Sequence, residues 1–170
     1  MNKKYELTEE TKMHGGIKLY RIKSLRDFGG VKKGDLGGWV ENEENLSHEN
    51  ECWVFGNGKV FGNGKVFGNG EVSGNGVVYG NAVVYGNGKV FGNAEVSGNA
   101  EVLGVVKNII GLKYNITITD SHVRIGCKQY TKEEWKNFID EEIDKMDRGA
   151  LEWWKKYKKT VMSLAFDELA

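Results

Sequence analysis

The sequence predicts a mainly β protein built around a parallel β-helix, and two observations support this fold class. Valine recurs every six residues from Val54 to Val102, and the first eight of these valines are followed by an aromatic residue or serine and then by Gly-Asn. A six-residue period would spread the valines around an α-helix, whereas short strands separated by Gly-Asn corners keep them on one side. Each hexad therefore forms a short strand and a corner, with valine pointing inward.

This pattern, over residues 54–104, resembles the left-handed hexapeptide-repeat β-helix, a three-sided prism with about three hexads in each coil. Residues 18 apart then stack, and residues that flank the valines, including Val77 and Val83, are expected at the surface. Three outward columns follow: Phe67, Tyr85 and Leu103; Phe61, Tyr79 and Ser97; Phe55, Ser73 and Phe91. Contiguous exposed aromatic residues on the first two columns predict self-association, and the resemblance implies a trimer. A ligand groove at the subunit boundary is a compatible alternative.

We divide the chain into four segments. Residues 1–39 form an N-terminal β cap, in which Gly15-Gly16 turns an alternating strand back on an earlier one. Residues 40–107 form the β-helix, with a two-residue insertion near residues 48–53. Residues 108–130 form a β-hairpin or connector around Asp120-Ser121, and residues 131–170 form a two-helix hairpin that begins with a capping box. The hairpin either covers the C-terminal end of the prism or clasps a neighbouring subunit, and Trp153 is assigned to that interface.

Composition limits the classes of function. The chain has 170 residues with 24 basic and 24 acidic side chains, so no global charge favours a nucleic-acid partner. The basic run at residues 155–159 is expected to match the acidic run at 140–144. Because the chain has two cysteines, no charged-then-apolar leader and no apolar stretch of about 18 residues, we expect a reduced cytoplasmic protein that does not span a membrane.

Catalytic groups are sparse in the sequence. His14, His48 and His122 all lie outside the regular coils, so three histidines grouped around a metal are not expected, and we predict no metal, cofactor or catalytic residue. The resemblance to hexapeptide-repeat acyltransferases makes His48 the candidate general base of an alternative, enzymatic function. Cys127 is expected to be a buried structural thiol, because His122 and Cys127 have opposite parity on one strand.

A narrower resemblance covers nearly the whole chain. The segments that carry it are 19–22 (LYRI), 25–28 (LRDF), 34–39 (GDLGGW), 45–48 (NLSH) and 131–135 (TKEEW). They are similar to small hexapeptide-repeat or polymer-forming-like proteins of bacteriophages and prophages. This likeness implies a non-catalytic protein that antagonises bacterial defence, by sequestering a signalling nucleotide or blocking a defence protein.

A nucleotide ligand would need cations for its phosphates and aromatic planes for its base. The predicted ligand-binding residues are Arg21, Arg26, Lys32, Lys33, Trp39 and Trp53. A protein target would instead contact the aromatic columns or the helical hairpin. A structural or assembly protein, with only itself as partner, is a third possibility.

Overall fold

The structure is a computed structural model that describes residues 3–167. Parallel coils stack into a solenoid of about four turns, followed by an antiparallel sheet and three helices. Strands β1 (Tyr5–His14), β2 (Ile17–Ser24) and β3 (Leu36–Val40) come first. The hexads then give two-residue strands: β4 (Trp53–Val54), β5 (Lys59–Val60), β6 (Lys65–Val66), β7 (Glu71–Val72), β8 (Val77–Val78), β9 (Val83–Val84), β10 (Lys89–Val90), β11 (Glu95–Val96) and β12 (Glu101–Val102). The predicted mainly β solenoid is confirmed.

The register of the coils follows the 18-residue spacing. Strands align in the columns β3-β5-β8-β11, β4-β7-β10 and β6-β9-β12. From β4 onward residues 18 apart pair, as Lys65 pairs with Val83, whereas β3 and β5 pair residues 20 apart, as Trp39 pairs with Lys59. The hexad valines are 0–1% exposed and form the core of the solenoid. At each corner the glycine before asparagine has φ between 55° and 67°, a region that glycine enters at little cost. The sequence pattern therefore fixes both the inward residue and the corner.

The N-terminal end of the solenoid is closed by backbone strands. The β1–β2 hairpin turns at Gly15 and Gly16 as predicted, and β2 pairs antiparallel with β3. Strand β3 pairs in parallel with β5, so the hairpin extends one column of the solenoid outward. The predicted irregularity at residues 48–53 is present as a turn in which Asn50 takes φ 53°.

The C-terminal end is closed differently from the prediction. Strands β13 (Lys107–Ile109), β14 (Ile116–Ile118), β15 (His122–Ile125) and β16 (Lys128–Thr131) form a four-stranded antiparallel sheet, of which the predicted pair around Asp120-Ser121 is the centre. Side chains of this sheet, and not the helices, bond the last coil. Asp120 Oδ2 accepts from the backbone nitrogens of Leu103 at 2.6 Å and Gly104 at 3.1 Å.

The helical segment also differs in detail. The first predicted helix divides into α1 (Lys132–Asn137), with its capping box from Thr131 and Glu134, and α2 (Asp140–Asp144); α3 (Ala150–Ala165) is continuous. The break falls at Phe138, whose extended backbone lets its ring pack against Tyr130 and Trp135. The helices and the four-stranded sheet share a second core, separate from that of the solenoid. We call this part, residues 107–167, the C-terminal module.

Candidate functional site

One of the two predicted aromatic ladders remains exposed, and we call it the Phe67 column. It consists of Phe67, Tyr85 and Leu103, with Phe67 42% and Leu103 49% exposed. The rings of Phe67 and Tyr85 stack with centroids 5.5 Å apart, and the Tyr85 hydroxyl lies 3.2 Å from Glu101 Oε2. A contiguous strip of large apolar side chains of this kind is typical of an interface.

The second predicted ladder is partly covered. Phe61 and Tyr79 stack with centroids 5.2 Å apart, but His14 at the tip of the β1–β2 hairpin contacts Phe61 edge-on at 5.5 Å. Ser97, the last member, is buried beneath Gln129 of β16. The prediction of two exposed ladders is therefore wrong for this column, because both non-repeating ends of the chain fold onto it.

Val77 is likewise 8% exposed, although its position in the hexad predicts a surface residue. In the column β5-β8-β11, Val77 lies between Lys59 and Glu95. The charges of both residues affect the pKa of His14, which places the hairpin tip near them. The hairpin tip therefore reaches across this face. Period-two alternation predicts that the Val77 side chain points away from the solenoid core. It cannot predict which distant segment covers that side chain.

Trp153, assigned to the oligomer interface, lies inside the C-terminal module. Its side chain is 8% exposed and packs against Tyr114 and Tyr157, with centroids 5.2 Å and 5.0 Å away. This assignment is wrong as an exposed contact, because α3 turns Trp153 toward the four-stranded sheet.

The two predicted stacking planes, Trp39 and Trp53, are also core residues. They are 6% and 1% exposed, and Trp53 packs edge-on against Phe28 at 5.3 Å. Two cations already lie over Trp39, with Lys12 Nζ 4.0 Å and Arg21 Cζ 5.5 Å from its ring centroid. The expectation that these indoles offer a free face to a nucleobase is therefore wrong, since the N-terminal cap buries them.

The predicted phosphate-binding cations do not converge on one pocket in the described residues 3–167. Arg21 pairs with Glu10 at 3.2 Å, and Arg26 donates to the backbone carbonyl of His48 at 3.3 Å. Lys32 pairs with Asp27 at 3.1 Å. Lys33 is exposed, and its backbone nitrogen donates to the same Asp27 carboxylate. Most of this positive charge is thus matched by a neighbouring acid or carbonyl.

His48 is enclosed beneath the N-terminal cap. Its ring stacks on Tyr5 at 4.3 Å, and its Nδ1 accepts a hydrogen bond from the backbone nitrogen of Lys4 at 3.2 Å. Its Nε2 is buried without a hydrogen-bond partner, 3.7 Å from a carboxylate oxygen of Glu43. Burial lowers the pKa of His48. Neither ring nitrogen is presented to a substrate in this arrangement.

The remaining nucleophiles and metal ligands are dispersed. His122 Nδ1 lies 2.8 Å from Ser121 Oγ, and burial lowers its pKa. Cys127 is exposed at the β15–β16 turn, so the expectation of a buried thiol is wrong for it. Cys52, in contrast, is buried 3.2 Å from Lys4 Nζ. Across residues 3–167 no three His, Cys, Asp or Glu side chains gather as a metal-binding group.

The C-terminal module also contains a cavity that sequence reasoning did not predict. It measures about 210 Å³ and lies among Tyr114, Cys127, Trp135, Trp153 and Trp154. Trp135 and Trp154 were assigned only to helix packing, because helical spacing identifies a buried face without showing that the packing leaves a space, and Trp153 was assigned to the oligomer interface. The sequence does contain one indication of an aromatic cluster in this module, since three of the five tryptophans of the chain fall within residues 135–154.

These features together fit a protein of the hexapeptide-repeat class with a non-repeating module at each end. No family model matches the chain. The chain is similar to an uncharacterized acetyltransferase, YdcK, of Escherichia coli (strain K12), with 29% identity over 66 residues. The match covers 34% of this chain and 20% of that protein, so the chain spans about a fifth of the relative's length. In the described residues no helix is both long and apolar enough to cross a membrane.

Proposed function

We propose that this protein acts by binding, as a homo-oligomer whose subunits associate through the Phe67 column. The exposed column carries this proposal. Phe67 and Leu103 present large apolar surfaces at the same edge of the solenoid, with Tyr85 stacked between them in the 18-residue register. Burying such a strip against another subunit removes apolar area from water, which favours association.

A trimer is the proposed assembly. Because the Phe67 column lies on one face of the three-sided subunit, three subunits can close a ring in which each uses the same strip, and closure prevents open-ended growth. The stacked coils could otherwise extend end to end, but both ends are occupied by non-repeating elements.

The proposed target is a component of bacterial defence, either a signalling nucleotide or a defence protein. The support for this target class is the resemblance of the leader and tail segments to phage proteins. Of the two, a protein target is better supported, because Arg21, Arg26 and Lys32 are engaged by neighbouring groups, and Trp39, over which Arg21 lies, is only 6% exposed. An extended apolar strip also suits a protein surface better than a phosphate.

Acetyl transfer is the second candidate, favoured by the similarity to the E. coli acetyltransferase-named protein. It would use a thioester cofactor and a general base, for which His48 is the sequence candidate. The enclosure of His48 by Tyr5 and Lys4 argues against that role.

Light scattering at micromolar concentration tests the association. We expect an oligomeric mass for the unaltered protein and a monomeric mass for the double variant Tyr85→Ser and Leu103→Ser. Ile139→Ser is the matched control, because Ile139 is 58% exposed on the C-terminal module and outside the column. A monomeric unaltered protein, or an unchanged mass in the double variant, would contradict the interface.

The target is tested by thermal shift with cyclic and ADP-ribose-type signalling nucleotides. A bound nucleotide at a hundred times its dissociation constant stabilises the folded protein by ~2.7 kcal/mol. No shift with any of these compounds favours a protein target. Acetyl transfer from acetyl coenzyme A that His48→Ala abolishes would replace the binding proposal with the enzymatic one.

A further inference from the structure

We propose that the N-terminal cap contains a pH switch, in which protonation of His48 separates residues 3–7 from the turn at residues 47–52 and exposes the first coil of the solenoid. His48 lies on that turn, and its ring stacks on Tyr5 of β1 with centroids 4.3 Å apart. Its Nδ1 accepts a hydrogen bond from the backbone nitrogen of Lys4 at 3.2 Å. The ring therefore joins the turn to β1, and this contact does not depend on the Phe67 column.

The hydrogen bond from Lys4 requires the neutral form of His48. A neutral imidazole has one acceptor nitrogen, which is Nδ1 here, so the ring proton resides on Nε2. In the protonated ring both nitrogens are donors. The Nδ1–H group would then face the Lys4 N–H group across the same 3.2 Å, and two donors repel each other. Protonation thus replaces a contact that holds the turn against β1 with one that opposes it.

The charged groups around His48 come from both sides of this contact. On the turn side, Nε2 lies 3.7 Å from Glu43 Oε2, and the Glu43 carboxylate is already paired with Lys3 at 2.7 Å. On the loop after β2, Arg26 donates to the backbone carbonyl of His48 at 3.3 Å. Burial has the largest effect on the pKa of His48 and lowers it; Glu43 raises this pKa, and the ammonium groups of Lys3 and Lys4 lower it. The closed arrangement therefore favours the neutral ring.

The same contact keeps Cys52 buried. Lys4 is 0% exposed, and its Nζ donates to the carbonyl oxygen of Cys52 at 2.7 Å and to the sulfur of Cys52 at 3.2 Å. The hydroxyl of Tyr5 donates to the carbonyl of Leu46 at 2.7 Å. These groups lie directly beside His48 in the chain fold, so separation of β1 from the turn would expose Cys52 to solvent.

Strand β1 also provides a point at which the separated segment can end. Its pairing with β2 shifts register between Leu7 and Thr11, so residues 5–7 and residues 11–14 are paired as two separate stretches. The second stretch includes the hairpin tip, where His14 contacts Phe61 on the solenoid. The first stretch can therefore separate while the rest of the hairpin stays in place.

The pH range of the switch follows from proton linkage. In the separated state His48 is in water and takes the ordinary histidine pKa of about 6.5. Because burial lowers its pKa in the closed state, the separated state binds more protons as the pH falls below about 6.5. Uptake of one proton favours opening by up to about tenfold for each pH unit. Solvated carboxylates stay ionised above about pH 5, so measurements from about pH 7.5 to 5 report mainly on histidine.

Thiol labelling measures the opening, because Cys52 is buried and Cys127 is exposed. With a dipyridyl disulfide, we expect the labelling rate of Cys52 relative to that of Cys127 to rise by about fivefold or more from pH 7.5 to 5. In His48→Gln this ratio should stay constant, because the glutamine oxygen can accept from the Lys4 nitrogen and does not titrate. His14→Gln is the matched control, because burial also lowers the pKa of His14 in the same cap, and it should keep the rise.

A constant ratio in the unaltered protein would overturn the proposal, and so would a rise that persists in His48→Gln or disappears in His14→Gln. Hydrogen exchange in the unaltered protein decides the matter if His48→Gln does not fold. Protection of the Lys4 amide should fall from pH 7.5 to 5, whereas the Tyr79 amide, bonded to the carbonyl of Val96 at 3.0 Å in the middle coils, should keep its protection. Unchanged protection at Lys4, or an equal fall at Tyr79 that indicates global unfolding, contradicts the switch.

Discussion

The two ends of the solenoid solve the same physical problem with different groups. At the N-terminal end, β1, β2 and β3 continue one column as a hydrogen-bonded ladder. At the C-terminal end, the backbone nitrogens of the last coil are bonded by side chains: Thr117 Oγ1 accepts from Glu95, Ser121 Oγ from Glu101, and Asp120 from Leu103 and Gly104. Without these groups, the unpaired strand edge at either end of the solenoid would be free to pair with another chain.

The difference shows how each end controls growth of the stack. At the N-terminal end the hydrogen-bonded ladder still has an outer edge strand, which is β1. The pairing of β1 with β2 shifts register between Leu7 and Thr11, and β1 carries charged residues such as Glu9 and Glu10. Bulges and charges are known to discourage pairing at an edge. Side-chain caps leave no strand pattern to copy at β11 and β12, and the third column continues beyond β10 only as an isolated bridge between Lys89 and Val105.

The N-terminal end is held mainly by apolar packing, so Trp53→Ala should have the largest effect. Trp53 is 1% exposed and packs edge-on against Tyr5 and Phe28. Truncation of a fully buried tryptophan costs about 3–5 kcal/mol of unfolding free energy, because a cavity remains. Urea denaturation followed by circular dichroism measures the change.

Phe55→Ala is the control for this change, because Phe55 lies two residues further along the chain but is 38% exposed. It should cost less than about 1 kcal/mol. Similar losses in the two variants would mean that the N-terminal end is not held by this packing.

The C-terminal end is held by polar caps, and Asp120→Ala tests them. Removal of the carboxylate leaves the Leu103 and Gly104 nitrogens without their acceptor, which we expect to cost about 1–3 kcal/mol. Hydrogen exchange should accelerate at these two amides and stay slow in the middle coils. Asp120→Asn keeps one side-chain oxygen and should lose less; unchanged exchange in Asp120→Ala would contradict the capping role.

The smallest expected effect concerns Lys12, whose ammonium lies over Trp39 at the N-terminal end. Burial, with the nearby charges of Lys59 and Arg21, lowers the pKa of Lys12 to about 8 from 10.5. Between these values the unfolded chain binds more protons, so stability rises with pH from about 8 to 10.5; below 8 the folded state bears the full cost of the charge.

Lys12→Met should therefore stabilise the protein at pH 7 and flatten the rise in stability above pH 8. Urea midpoints at pH 7, 8, 9 and 10 measure this, with Lys18→Met as the control for adding an apolar side chain to the exposed hairpin. A variant that keeps the full rise would show that Lys12 does not cause it.

The repeat itself was predictable because its physics is local. The inward valines, the glycine corners and the 18-residue register follow from a period of six and from the backbone freedom of glycine, which need no knowledge of distant residues. The capping box at Thr131 and Glu134 and the turn at Gly15 and Gly16 were predictable for the same reason.

The candidate site was less predictable, since exposure depends on what covers a residue. The hexad places Phe61 and Phe67 equivalently, yet the hairpin tip covers one and leaves the other 42% exposed. Trp39 and Trp53 were paired with the cations at residues 21–33 to form a ligand site, and burial by the N-terminal cap removes both indoles from any ligand surface.

The sequence by itself thus determined the solenoid, because each hexad carries the information for its own strand and corner and stacking only repeats it. Tertiary structure decided which surfaces remain free and where a cavity forms. The side chains of the Phe67 column are exposed because neither end packs over them, and the cavity beside Trp153 and Trp154 lies where the helices pack on the four-stranded sheet. Both outcomes depend on packing between segments that are distant in sequence, which no local period encodes.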